Sequence, residues 1–117
     1  MPPVRVEKQG AVTTVVLSRP EVRNAVDRHT AAALVESFLA FDRDEEARVA
    51  VLFGEHGTFC AGADLGWMSK TAAYTREQNL QDAQKLAGMF HAVYDCSKPV
   101  IGKINGNAFG GGTGFVA

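Results

Sequence analysis

The stretch Asn105-Gly106-Asn107-Ala108-Phe109-Gly110-Gly111-Gly112-Thr113-Gly114 holds five of the chain's 12 glycines. It follows Pro99-Val100-Ile101-Gly102-Lys103-Ile104, an apolar run that reads as a buried strand, and it reads as the opening of a helix. Glycine lets a backbone approach a ligand closely. Amides at a helix start lack intrahelical partners and lie at the positive end of the helix dipole. Such groups hold an anion, or stabilise one that develops during a reaction.

A second stretch has the same character. Phe59-Cys60-Ala61-Gly62-Ala63-Asp64-Leu65 follows the apolar run Val49 to Phe53 and the turn Gly54-Glu55-His56-Gly57. Taken singly, either segment reads equally well as a tight turn closing a strand onto a helix. Two of them, each at a strand-to-helix junction, point to a paired donor site. A rival reading starts from Gly112-Thr113-Gly114-Phe115-Val116-Ala117, which fits the G-x-G-x-x-A dinucleotide fingerprint. That unit needs an acidic residue about 20 positions further on, outside this chain. Asn105-Gly106-Asn107 also interposes a turn before the glycines, so this reading ranks well below the first.

Working outward, Val4 to Glu7 and Val12 to Leu17 are rich in β-branched residues and flank the turn signal Gln9-Gly10, which predicts a hairpin. Pro20 ends the second strand, since proline cannot donate to a ladder. Asp27 is a candidate N-cap. After it Ala31, Leu34, Val35, Phe38 and Leu39 fall on one helical face that ends near Asp42. Asp44-Glu45-Glu46 reads as a solvated linker, and Val49 to Phe53 as a strand covered on both faces. Thr75-Arg76-Glu77-Gln78 has capping-box form. It opens a helix to Tyr94 with Ala83, Leu86, Ala87, Phe90 and Tyr94 at helical spacing, stopped by Ser97-Lys98-Pro99. The order β-β-α-β-α-β, followed by a helix, predicts an α/β layout with parallel pairing.

Composition narrows the function. The 117 residues are 46% hydrophobic and 21% charged, with 12 basic and 13 acidic side chains. That is the balance of a globular domain rather than a disordered tail. Nothing in it marks a nucleic-acid or membrane surface. No apolar run approaches the roughly 18 residues of a membrane span. Met1 to Arg5 lacks the apolar core of a signal peptide, so the cytoplasm is the expected compartment. Cys60 and Cys96 form no metal or redox spacing and read as buried reduced thiols. His29, His56 and His91 share no metal spacing and read as structural, so no metal is expected. A G-x-S-x-G nucleophile pattern is absent, and Cys60 has no evident histidine partner.

These residues carry a resemblance. Phe59 to Leu65 resembles the F-x-A-G-A-D-L/I motif of the crotonase, or enoyl-CoA hydratase/isomerase, family. Lys98-Pro99-Val100-Ile101 through Asn105-Gly106 and Gly110-Gly111-Gly112 resembles its K-P-V-I…N-G-x-A-x-G-G-G motif. Arg19-Pro20-Glu21-Val22-Arg23-Asn24-Ala25 resembles its R-P-x-x-R/K-N-A loop. The three come in the family's order and span nearly the whole chain. Further likenesses at Asp64 to Met68, Asn79 to Gln84 and Phe109 to Phe115 resemble the bacterial methylglutaconyl-CoA hydratase branch.

The resemblance implies a crotonase-type β-β-α spiral. Residues 1–117 would be the N-terminal part of a single domain that is C-terminally incomplete. It implies an acyl-CoA thioester as substrate, with coenzyme A a part of that substrate and no separate cofactor. The thioester carbonyl would sit between the backbone amides of Ala63 and Gly111, which would stabilise an enolate oxyanion. Arg23 and Ala25, with Ala61, Ala63, Asp64, Leu65 and Gly111, would contact the substrate. Arg23 is the natural cation for a CoA phosphate, or else a solvated loop charge. Asp64 is either a substrate-proximal acid or a helix N-cap. Trp67 and Met68 either line an acyl pocket or serve core and subunit contacts. Many hydratases of the family carry a glutamate where this chain has Gly114, and their second glutamate falls beyond Ala117. The methylglutaconyl-CoA branch shares the glycine.

The expected activity is therefore hydration of a 2-enoyl-CoA, with acid/base groups from outside this chain and the isolated piece inactive. Enoyl-CoA isomerisation, acyl-CoA thioester hydrolysis and non-catalytic acyl-CoA binding are the alternatives. A homotrimer or hexamer is implied for the full-length protein, with no nucleic-acid or membrane partner.

Overall fold

The predicted hairpin is present in the computed structural model, which describes residues 2–117. Strands β1 (Val4–Gln9) and β2 (Val12–Leu17) pair antiparallel from Val4 opposite Leu17 to Gln9 opposite Val12. Gly10 turns the chain at φ +59°, a conformation that favours glycine. A short 3-10 turn (Pro20–Val22) leads to helix α1 (Arg28–Arg43). Strands β3 (Val49–Gly54) and β4 (Thr58–Cys60) follow, then helices α2 (Leu65–Thr71) and α3 (Arg76–Tyr94). Strands β5 (Val100–Lys103) and β6 (Asn107–Ala108) and helix α4 (Gly111–Val116) complete the chain. The main sheet has the order β1-β2-β3-β5, with β2, β3 and β5 parallel. The short strands β4 and β6, which no periodicity in the sequence announces, form a second parallel pair.

Local chemistry places the helices as expected. The Asp27 side chain accepts from the Thr30 amide at 2.8 Å and starts α1. At α3 both halves of the capping box form: Gln78 N donates to Thr75 Oγ1, and Thr75 N donates to Gln78 Oε1. Leu17, Leu34, Phe38, Phe41, Leu52, Phe59 and Met89 fill the core between sheet and helices. Burying each such side chain contributes roughly 1.5–3 kcal/mol.

Four expectations need correction. The buried stripe of α1 runs through Ala31, Leu34, Phe38 and Phe41, whereas Leu39 is 42% exposed in the groove facing α3. In α3 the covered stripe is Asp82, Leu86, Met89 and Val93; of the expected face Leu86 and Phe90 pack against the core, whereas Ala83, Ala87 and Tyr94 are exposed. Strand β5 is not buried: among the described residues only β3 pairs with it, and Ile101 and Ile104 are open. The acidic linker is not simply solvated. Asp42 accepts from the Ser97 amide and hydroxyl, Asp44 pairs with Lys8, and Lys98 Nζ donates to the Phe41 and Asp44 carbonyls at the end of α1. Cys60 is buried and Cys96 half-buried; both are free thiols, and burial raises the pKa of each.

Glu55, in the turn between β3 and β4, ties the hairpin to this turn. It accepts from Arg5 and from Ser18 Oγ. The Arg5 hydrogen bond, followed by that of Ser18, lowers its pKa from 4.5 to about 2. A depressed carboxylate contributes stability above its unfolded pKa and loses it as pH falls through the folded value. The Glu55 contribution should therefore be complete above pH 4.5 and vanish toward pH 2. Melting curves of Glu55→Gln should show a shallower acid limb in that window than the parent chain. Equal slopes would mean the pair contributes nothing.

Candidate functional site

Three loops meet at the C-terminal ends of β2, β4 and β6. The first runs from Arg19 to Asp27. Arg23 and Asn24 both take left-handed backbone angles, φ 53° and 60°, tolerable for Asn and costly for Arg. Asn24, 1% exposed, holds the turn: its Nδ2 donates to the Glu55 and Thr58 carbonyls at 2.9 and 2.8 Å, and its Oδ1 accepts from Arg19 N at 2.8 Å. With the loop so fixed, the Arg23 carbonyl accepts from Ala61 N at 3.1 Å. Ala25 is buried, while the Arg23 side chain is exposed at the rim.

The second loop, Ala61 to Asp64, runs parallel to Val26. Val26 N donates to the Gly62 carbonyl at 2.7 Å, and Asp64 N donates to the Val26 carbonyl at 2.8 Å. In such a bridge the middle residue turns its own N–H away from the partner. The Ala63 amide accordingly donates to no protein group among the described residues. Asp64 settles as a cap: its Oδ1 accepts from Trp67 N at 3.0 Å and opens α2. Leu65 is 80% exposed.

The third loop brings in Gly111. Phe109 N donates to the Cys60 carbonyl at 3.0 Å, which docks the glycine turn on the second loop. Gly110 (φ +50°) opens α4, and the Gly112 and Thr113 amides are used by the Phe109 and Gly110 carbonyls. The Gly111 amide, like that of Ala63, donates to no protein group among the described residues. A Cβ on Gly62 would lie 3.3 Å from Gly111 N and 2.8 Å from the Phe109 carbonyl oxygen. Gly62 therefore lets the two loops touch. A Cβ on Gly112 would lie 2.5 Å from the Cys60 carbonyl oxygen, so that glycine is also demanded by contact.

Beside Ala63 lies a small cavity of about 190 Å³ bounded by Trp67, Met68, Thr71, Asn79, Asp82 and Leu86. The sequence reading did not single out Asp82. It is 6% exposed, accepts from Trp67 Nε1 at 2.7 Å and pairs with Arg28 at 3.6 Å. Its only sequence signal is its place, four and seven residues before Leu86 and Met89, on the face that proves to be covered. The histidines form no cluster, and no group of three metal-ligating side chains exists among the described residues.

Gly114 has a neighbour that accounts for its size. A Cβ there would lie 2.8 Å from Phe90 Cε1, and the Phe90 ring packs on Phe115 at 4.9 Å. Gly114→Glu should cost about 1–3 kcal/mol by overpacking. In a double-mutant cycle with Phe90→Ala, part of that cost should disappear. Additive losses in urea unfolding would show that the ring is not the obstacle.

The fold and loops define an α/β protein in which two glycine-rich loops from separate junctions touch at Gly62, each with a main-chain amide that has no protein acceptor among the described residues. Residues 7–117 match a family model described as Enoyl-CoA hydratase/isomerase. A Thermus thermophilus relative is 36% identical over 112 residues, covering 96% of this chain and 44% of the relative. A carnitinyl-CoA dehydratase of Proteus mirabilis is 42% identical over 108 residues, 89% of this chain and 38% of that protein. The crystal structure of an enoyl-CoA hydratase from Shewanella pealeana superimposes with a TM-score of 0.94 at 34% identity, over 97% of this chain and 43% of that one. The chain belongs to the enoyl-CoA hydratase/isomerase family and has the crotonase fold. It spans less than half the length of the relatives it matches.

Proposed function

We propose that this chain carries the carbonyl-binding part of an enzyme that hydrates a 2-enoyl-CoA thioester. The supporting observation is that the Ala63 and Gly111 amides, both without protein acceptors among the described residues, lie on loops that touch at Gly62. Two free donors on touching loops suit a thioester oxygen that gains charge as water adds to Cβ and a proton to Cα. Removal of one such donor typically costs about 10²–10³ in rate. Arg23 at the rim is the cation for a CoA phosphate. Ala25, Ala61, Asp64 and Leu65 form the adjoining CoA-binding edge, and Trp67 and Met68 line the acyl cavity. Coenzyme A enters as part of the substrate, and no other cofactor is needed. Gly114 cannot move a proton, so the acid/base groups come from outside these residues. The protein acts in the cytoplasm as a trimer or hexamer.

The branch of substrate has two supports. Asp64 to Met68 and the Thr113-Gly114 pair favour a branched acyl group of the methylglutaconyl type. The carnitinyl-CoA dehydratase relatives favour loss of water from a hydroxyacyl-CoA, the reverse of the same chemistry.

Calorimetric titration of this chain with crotonyl-CoA, beside free CoA, tests the reading. Tighter binding of the thioester, with its carbonyl carbon shifted downfield in ¹³C spectra, is expected. Binding without a carbonyl shift, or no preference over CoA, would refute it.

A further inference from the structure

We propose that Arg19 is a positioning residue for the Ala63 amide, an inference that rests on the carbonyl-binding reading above. Arg19 lies 44 residues before Ala63, yet its guanidinium sits at the centre of the scaffold that presents this amide. The side chain is 16% exposed. Its Nη1 donates to the Ala25 carbonyl at 2.6 Å and to Asp64 Oδ2 at 3.2 Å; its Nη2 lies 3.3 Å from Asp27 Oδ2. A planar fork of donors can engage three such acceptors at once, whereas an ammonium is a point charge.

Both carboxylates are already occupied on their other oxygen. Asp27 Oδ1 accepts from Thr30 N and caps α1; Asp64 Oδ1 accepts from Trp67 N and caps α2. Arg19 thus locks two helix starts to each other. The two aspartates directly follow the two residues of the parallel Val26 to Ala63 bridge, which turns the Ala63 N–H outward. The third acceptor, the Ala25 carbonyl, precedes Val26 directly. The residues on both sides of Val26 and the residue after Ala63 are therefore tied to one guanidinium, which fixes the direction of the Ala63 amide without touching the substrate.

This arrangement also assigns Arg19 a role different from that of Arg23. Arg19 is matched by two nearby carboxylates, with Glu21 at a looser 3.9 Å, and its donors face inward. It is neutralised within the protein and is not the cation for an incoming phosphate. Arg23, exposed at the rim, keeps that part.

The test measures carbonyl recognition apart from folding. The full chain and its Arg19→Lys and Arg19→Met variants are titrated with crotonyl-CoA and with the thioether analogue that lacks the carbonyl, and each is melted. Carbonyl recognition is the ratio of the two affinities. Loss of one aligned hydrogen bond should lower this ratio about tenfold, with affinity for the thioether unchanged and the ¹³C carbonyl shift moving back toward its free value. Lysine should not rescue it, because charge without the fork cannot hold three acceptors. Where Arg19→Met does not fold, Asp27→Asn serves instead, since it keeps the cap acceptor and removes the ionic link; the same loss of ratio is expected. A parent chain that shifts the carbonyl, with folded variants that shift it equally, overturns the Arg19 assignment alone. A parent chain that shows no carbonyl preference overturns the carbonyl-binding reading, and this inference with it.

Discussion

Gly62→Ala should lower enoyl-CoA hydration by about 10²–10³-fold when this chain is joined to the C-terminal part of a family member. Two physical effects act together. Gly62 has φ +93°, where an L side chain is strained, so alanine would shift the backbone on which Ala63 depends. The new methyl would also meet the Phe109 carbonyl at 2.8 Å and stand 3.3 Å from Gly111 N. It cannot be accommodated unless the two loops separate, which moves both donors at once. Thermal melts should show a smaller loss than the rate does, since the main core around Phe38, Leu34 and Leu52 is remote in sequence and already closed. Steady-state kinetics on the joined enzyme would check this. A variant with parent-like kcat would remove the two amides from the mechanism.

Asn24→Ala should be the most destabilising polar substitution in the chain, costing about 3 kcal/mol or more. It would strand the Glu55 and Thr58 carbonyls and the Arg19 amide, each bonded to Asn24 at 2.8 to 2.9 Å in a site 1% exposed. An unsatisfied buried partner costs about 1–3 kcal/mol. Alanine also tolerates φ +60° less well than asparagine. Asn24→Asp should lose most of the same stability, because it keeps the acceptor for Arg19 and gives up both donations. Urea unfolding of the three chains measures the differences. A loss below about 1 kcal/mol for alanine would mean that water replaces the amide and that the loop is not held from this residue.

Gly62 and Asn24 differ in how far the sequence reveals them. Gly62 stands within a motif of small residues whose purpose could be argued before any coordinates, because glycine beside a turn advertises close approach. Asn24 stands in the Arg19 to Ala25 motif, but nothing in that motif names the carbonyls it holds. Its partners are 31 and 34 residues away, and no local spacing connects them. The same holds for Arg19 with Asp64, and for Asp82 with Trp67 and Arg28. Long-range polar contacts follow from how loops meet, which hydrophobic period does not encode.

Helix faces show the other limit. The start of α3 was readable because a capping box is a contact between neighbours. Its buried side was not, because several stripes have apolar members at helical spacing. Asp82 looks like a surface residue until the Trp67 indole and Arg28 supply its partners. Strand β5 is apolar enough to be central, yet its burial depends on what lies on its far side, which a count of Val and Ile does not contain.

By itself, then, the sequence determined the order of β1, β2, α1, β3, α3, β5 and α4, the hairpin, the caps of α1 and α3, the two glycine-rich junctions and the family, all of which rest on near neighbours or on motif order. Only the tertiary structure decided that the Ala61 to Asp64 and Phe109 to Gly111 loops touch at Gly62, that Asp64 caps α2, and which stripes of α1 and α3 are covered. The physical reason is that a donor site needs two loops from distant parts of the chain placed a few ångströms apart. That distance is set by the packing of β3, β4 and β6 against one another, and by the inward grip of Asn24 and Arg19.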